Sequence, residues 1–239
     1  MARGNDPVAV WERPEPPERP TLTPLSRDRI VTAAIALADA DGLAAVSLRK
    51  VASALDAGPM RLYGYLSTKD ELLDLMLDMA YAEIVQAGAV TGDWRAELRE
   101  LASRTRAAAL RHEWFVDLVG GRPNIGPHGL AYLETVLSIL DRAPGGRHID
   151  DAMHAAGTVQ AYLIGALRGE ITERRAERES GLTEVQWQVA SAPYLRRMLA
   201  NGNFPTVMAV VRDATHPDRS TTFERGLDYV LDGIAARQT

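Results

Sequence analysis

From Leu25 onward, apolar residues return at three- and four-residue spacing, and each such run ends at its own stop signal. An α-helix turns once every 3.6 residues, so this spacing gathers the apolar positions on one face. No stretch of useful length alternates apolar with polar, and no Asn-Gly or Asp-Gly pair joins two β-rich runs. The chain is therefore expected to be all-α, without a sheet.

The expected helices follow from caps and breakers. Ser26 caps a helix over Arg27–Asp41, with Ile30, Ala33, Ala34, Leu37 and Ala38 on one face, and Gly42 closes it. Ser47 caps a short helix running to Leu55, and Pro59 fits the first turn of a third, where its missing N–H costs nothing. Lys69-Asp70-Glu71 opens a fourth, running towards Ala87, its acidic residues suited to the helix dipole. Further helices are expected over Trp94–Arg111, His128–Arg142, Ile149–Arg178, Glu184–Leu199 and Phe223–Arg237. No unit of 20–50 residues repeats.

Residues 7–24 hold six of the 13 prolines, which excludes a helix there and leaves few apolar residues to pack. A flexible, proline-rich arm over residues 1–24 is the expectation. Arg13 and Arg19 in it either reach the minor groove of a duplex, as basic arms do, or belong to a solvated tail. The first 20 residues have no apolar core of the signal-peptide kind, no run suits a membrane span, and there is no cysteine. A cytoplasmic protein with no membrane partner is expected.

The net charge of −5 argues against nucleic acid, but its distribution does not. Residues 26–69 carry six Lys or Arg against four Asp, a local +2 on an otherwise acidic chain. Such a field attracts phosphate to one end and repels it from the rest. Within that segment, Ser47–Leu66 has the spacing of a helix-turn-helix. Ala52 is small enough for a helix crossing, Asp56 tolerates the left-handed conformation a tight turn needs, and Leu48, Val51, Leu55, Leu62 and Leu66 supply a shared core. Ser47, Arg49, Lys50, Met60, Arg61, Gly64 and Tyr65 are left as the exposed set, able to bond phosphates and base edges in a major groove. Spacing alone suits an ordinary helical hairpin equally well.

The ordered series Arg29-Ile30-Val31, Ala33-Ala34, Ala38-Asp39, Asp41-Gly42-Leu43, Ser47-Leu48-Arg49, Val51-Ala52, Gly58-Pro59-Met60, Leu62-Tyr63, Tyr65 and Lys69-Asp70-Glu71-Leu72-Leu73 resembles the DNA-binding domain of the tetracycline-repressor family. From His112 and Trp114 through Gly121-Arg122-Pro123 to Phe223-Glu224 and Gly226-Leu227-Asp228, the chain is similar to that family's effector domain. The resemblance covers nearly all of residues 25–237. It implies a three-helix DNA-binding domain at 25–80 and a larger helical ligand-binding and dimerisation domain at 81–239. It also implies a homodimer on a near-palindromic operator, released by a small-molecule effector. On the family pattern, Arg49 faces the groove, Met60 and Arg61 read base edges, Tyr63 and Tyr65 touch the phosphate backbone, and Lys69 holds a phosphate at a helix N-terminus, with Ser47 from the exposed set as a further DNA-binding candidate. Asp56 stands where the family usually has Gly, and Gly64 where a large side chain is common; Gly64 reads nothing and puts the operator sequence in question rather than DNA binding.

The effector site implied by the resemblance lies where Gly120–His128 interrupts two helices. Arg122, Asn124, His128 and Tyr132 are its polar candidates and Trp114 and Phe115 its apolar wall; alternatively Arg122 and Asn124 satisfy loop backbone. Leu118 takes the place of the histidine that chelates metal in tetracycline repressors, which weighs against a magnesium–tetracycline effector. The series His148, Asp150, Asp151, His154 reads as an ordinary helix start rather than a metal site, and Glu170–Arg178 as a solvated charged face with Glu170 and Arg174 paired. Trp187 and Tyr194 are expected in the core or a dimer contact. Leu227, Val230, Leu231 and Ile234 form a stripe expected at the dimer contact, where the resemblance places a four-helix bundle built from the 149–178 and 223–237 helices. No catalytic motif, metal or cofactor is expected. The rival reading is a small helical enzyme or ligand carrier that uses the same pocket.

Overall fold

A computed structural model of the chain describes residues 9–17, 24–85, 91–143 and 148–236. All regular structure among them is helical. Helix α1 spans Arg27–Asp41, with the Ser26 side chain accepting from Arg29 N, and ends at Gly42 at φ 79°. After a 3-10 turn at Leu43–Ala45 comes α2 over Leu48–Ala54, where Ser47 accepts from Lys50 N. Asp56 at φ 49° turns the chain into α3, Pro59–Leu62. The expected left-handed turn at Asp56 is present, and α3 is a single helical turn begun by its proline.

Helix α4 spans Lys69–Ile84, stopping short of Ala87, and is capped by Thr68. It packs on α1 at one end and on α5 (Trp94–Arg111), α6 (Phe115–Leu118) and α7 (Pro127–Asp141) along its length. Helix α8, Ile149–Ser180, lies against α5, α6, α7 and α11 (Arg219–Ala236). Helices α9 (Glu184–Leu199) and α10 (Pro205–Asp213) contact each other and present their side chains mostly to solvent. The short α6 and α10 were absent from the sequence reading. One buried apolar cluster runs from Ile30 in α1 through Met76 and Ile84 in α4 to Ile171 in α8 and Leu231 in α11. The residue 80/81 boundary therefore falls inside a helix whose buried residues serve both parts.

Three expectations change here. Leu227 and Leu231 are 2% and 0% exposed, and Val230 and Ile234 pack on the same core, so the stripe on α11 faces its own chain. Trp187 and Tyr194 are 60% and 61% exposed, hence no part of this chain's core. Glu170 bonds Arg106 on α5 at 2.8 Å rather than Arg174, while Arg175 and Arg178 bond Asp117 at 2.8 Å and Glu113 at 2.5 Å. The charged run on α8 is a set of ties to α5 and to the α5–α6 corner, because those partners sit beside it in space rather than four residues away.

Candidate nucleic-acid interface and ligand cavity

The helix-turn-helix presents one polar face. Arg49 and Lys50 are exposed on α2, and Met60 is 80% and Tyr63 51% exposed at α3. Arg61 is half-buried between them, and Lys69 stands exposed in the first turn of α4. Ser47 is half-buried, its hydroxyl occupied as the α2 cap. Tyr65 departs from its expected place. The turn that follows the four-residue α3 swings it inward, where it is 6% exposed and its hydroxyl donates to the Leu25 carbonyl at 2.7 Å. It braces the domain from inside and offers nothing to a phosphate.

Residues 9–17 lie against the body, contrary to a segment with too little apolar surface to pack. Val10 is buried and Trp11 packs on the core cluster. The Arg13 guanidinium meets Glu71 at 2.6 and 3.0 Å and Ser67 Oγ at 2.9 Å. The Arg13 hydrogen bond holds the Glu71 carboxyl below the usual carboxylate range. Arg13 is thus neither a solvated residue nor extended towards a groove; Arg19 lies outside the described residues. The adjacent apolar pair Val10-Trp11 was the available signal for this docking.

A cavity of about 160 Å³ lies between α4, the segment 118–124, α7 and α8. Leu77 and Tyr81 line it from α4, Tyr132 and Val136 from α7, and Val159 and Gln160 from α8. The rings of Tyr81 and Tyr132 lie 4.9 Å apart, tilted by 36°. Burial raises the phenol pKa of both. Arg122 and Asn124 line the cavity as expected. Asn124 also fastens the loop, its amide donating to Asp74 O at 2.9 Å and its Oδ1 accepting from Gly126 N at 2.9 Å.

The expected apolar wall is displaced. Trp114 is 1% exposed behind the cavity and donates to Asp39 Oδ1 on α1 at 2.7 Å; Phe115 packs edge-on against Tyr81 at 5.7 Å. Neither is among the lining residues. His128 also stands outside, its Nδ1 2.9 Å from Asp78 Oδ2. Sequence reasoning missed Tyr81, Leu77 and Gln160; a lone Gln among Ala156 and Val159 on α8 was the clearest available sign of a polar point in an apolar wall.

Two buried groups tie α1 and α4 to the helices around the cavity. Asp78 on α4, 4% exposed, accepts from His128 N at 3.0 Å and Gly129 N at 2.9 Å, and so caps α7. His112, 6% exposed, contacts Asp39 of α1 at 2.8 Å and Glu83 of α4 at 3.2 Å. Such fixed polar joints transmit a displacement because a broken one leaves a buried group unsatisfied. Among the described residues, no three His, Asp or Glu side chains converge as a metal site, and no helix is long and apolar enough to cross a membrane.

Residues 89–238 match the family model described as the tetracyclin repressor-like C-terminal domain. Over 226 residues the chain is 36% identical to the HTH-type transcriptional repressor DrrR1 of Streptomyces coeruleorubidus, covering 94% of this chain and 83% of that one. An HTH-type transcriptional regulator of Saccharopolyspora erythraea is 36% identical over 238 residues, 96% of this chain and 92% of that one. The Streptomyces coelicolor protein ActR, solved in complex with actinorhodin, superposes with a TM-score of 0.75 at 27% identity, covering 90% of this chain and 99% of ActR.

Proposed function

The chain belongs to the tetracycline-repressor family of transcriptional regulators, and from that premise we propose that it is a dimeric repressor whose grip on an operator is released by a small molecule. One observation carries the reading. Helix α4 bears exposed Lys69 at its first turn and gives Leu77 and Tyr81 to the cavity wall. Twelve residues of helix separate Lys69 from Tyr81, about 18 Å at 1.5 Å per residue. One rigid rod thus touches both the DNA face and the ligand site.

In this reading Arg49, Met60 and Arg61 read base edges, while Ser47, Tyr63 and Lys69 position the backbone. Residues 25–80 form the DNA-binding part and 81–239 the effector and dimerisation part. The effector is a flat, mostly apolar molecule with a polar edge. The Tyr81–Tyr132 pair suits a ring system, Arg122, Asn124 and Gln160 suit oxygen substituents, and the ActR complex with actinorhodin supplies the precedent. Leu118 in the lining leaves no imidazole there for a chelated metal.

The cavity volume indicates how release works. Pockets for drug-sized ligands hold about 300–1,000 Å³, whereas this one is about 160 Å³. A ligand of that size must push its walls apart, and the movable wall is the segment with Gly120 at φ 96°. Displacing that segment strains the Asp78 joint and tilts α4, so the two recognition helices of the dimer lose the spacing that fits successive major grooves. For the dimer contact, the outer face of α8 offers Gly157, Ala161, Gly165 and Gly169, all exposed, and the face of α9 offers Val185, Trp187, Val189 and Tyr194.

The test begins by selecting duplexes from a random pool. The selected operator is then titrated with actinorhodin-like aromatic polyketides present and absent, and each compound is titrated with and without operator. Linkage requires the two shifts to be equal. A compound bound equally well in both titrations is no effector, and a protein that selects no sequence is no repressor.

A further inference from the structure

Residues 9–17 touch four separated features of the molecule within nine residues. Trp11 lies against Gly126, where an added Cβ would stand 2.8 Å from Trp11 Cε2 and 2.2 Å from Asp78 Oδ1. Gly126 closes the segment that lines the cavity and precedes α7. Arg13 binds Glu71 and Ser67 at the start of α4, and its carbonyl accepts from Arg27 Nη2 at 2.8 Å. Glu15 Oε1 accepts from Arg27 N at 2.9 Å, at the start of α1. Pro16 reaches the turn after α3, where a Cβ on Gly64 would meet Pro16 Cγ at 3.1 Å.

We infer that residues 9–17 form a strap coupling the cavity-lining segment to the recognition helix, with Trp11 and Arg13 as its positioning residues. The inference rests on the DNA-binding reading above. Gly64 then has a physical role: at a turn position where a large side chain would collide with Pro16, it makes room for the strap. The strap runs beside the joint at Asp78, so the two ends of the switch are tied twice, once through α4 and once through this segment. Packing holds the Trp11 end, since its indole Nε1 is buried and finds no hydrogen-bond partner among the described residues. A contact fixed by packing alone shifts more readily than one fixed by directed bonds. The Arg13 end is directed, bidentate and charged. A displacement of Gly126 therefore moves Trp11 first, and the stiff Arg13 anchor passes it to the start of α4 and the end of α3.

Coupling is reciprocal, so operator binding must be felt at the cavity segment without any effector present. The reporters are the amides of Gly126, His128 and Gly129, which donate to Asn124 and Asp78. Hydrogen exchange at these amides is measured on the full chain, with and without an operator duplex selected from a random pool. In the unmodified protein the duplex changes their exchange several-fold. Trp11→Ala keeps a folded helical spectrum and retains operator binding, yet loses most of that change, and Trp11→Phe, which keeps a ring, restores it. Arg13→Gln breaks the same coupling from the other end while leaving the salt dependence of operator binding intact.

Full transmission in both Trp11→Ala and Arg13→Gln overturns the strap, as does an unmodified protein whose reporter amides ignore the duplex. A salt slope reduced by about one in Arg13→Gln would make Arg13 a phosphate contact and equally overturn its assignment. A protein that selects no duplex brings down the DNA reading and the strap together, a result distinct from selection without transmission.

Discussion

Residues 26–66 and the walls of the cavity are built in opposite ways. In the first region each helix end is set by a neighbour in sequence: Ser26 caps α1, Ser47 caps α2, Asp56 makes the turn and Pro59 starts α3. In the second, α4, the segment 118–124, α7 and α8 each contribute a face, and the chemistry at any point depends on residues 30 to 80 positions away. The first region takes its helix ends from local signals, as a surface that reads DNA by fixed geometry requires. The second is a volume left between packed helices, so it responds to small shifts of those helices. A ligand switch needs one of each.

The largest effect that tests this contrast is at Leu231, wholly buried on α11. Leu231→Asp places an unpaired charge in the continuous core, at a cost of about 3–5 kcal/mol, a large fraction of the roughly 5–15 kcal/mol that stabilises a typical domain. Its thermal transition, followed by circular dichroism, should fall by about 10 °C or more. Ala161→Arg on the exposed face of α8 should leave that transition nearly unchanged and shift sedimentation from dimer towards monomer. A folded monomeric Leu231→Asp protein would show that the cavity-bearing region tolerates far more than its packing implies.

Next is Gly126, where Trp11 and Asp78 of α4 meet the start of α7. A Cβ there would overlap Asp78 Oδ1, and that carboxylate is held by His128 N, Gly129 N and His128 Nδ1, so it has no free direction to yield. Gly126→Ala should cost about 1–3 kcal/mol of stability, as overpacking does, and weaken effector release more than operator affinity. An unchanged melting temperature would mean that this joint is loose.

How much was legible follows the same division. The caps, the Asp56 turn and the exposure of Arg49, Lys50 and Met60 were readable because they depend on residues within a few positions. Tyr65 was misplaced because its burial depends on the Leu25 carbonyl, 40 residues earlier, and on α3 being a single turn. Trp114 was expected in the wall of the pocket that the resemblance implies; its Asp39 partner, 75 residues away, draws it into the joint instead. Arg122, Asn124 and Tyr132 were candidates because the family resemblance implies a pocket at this helix break, and the structure places all three in the cavity lining. Tyr81 and Gln160 were not, since a face of a long helix says nothing about what stands opposite it.

Within the first region, Arg61 and Tyr65 separate recognition from support. Arg61→Ala should cost about 1–3 kcal/mol on the selected operator and relax the preference at one base position. Tyr65→Phe should leave base preferences untouched and cost about 1 kcal/mol of stability, since the Leu25 carbonyl loses its buried donor. Repeating the pool selection with each variant, alongside its urea transition, distinguishes the two. Altered base preference in Tyr65→Phe would return that tyrosine to the DNA face.

The smallest expected effect is one of pH, at the link between Glu71 and Arg13. Glu71 has its folded pKa lowered, first by the Arg13 hydrogen bond and then by the Ser67 amide, against the opposing pull of burial. A depressed carboxylate contributes its full stabilisation above the unfolded pKa and loses it as pH falls through the folded one. The Arg13 anchor therefore holds throughout the neutral range and releases only below the ordinary carboxylate range. Both side chains are partly exposed, at 26% and 22%, so solvent screens the pair and the contribution to global stability is small. The measurable consequence is local. Glu71→Gln should remove the acid dependence of amide exchange at Ser67, whose N–H donates to Glu71 Oε2 at 2.6 Å, while leaving exchange at the Ser47-capped start of α2 unaltered. Equal acid sensitivity in both proteins would mean that the first region is held by its own caps alone.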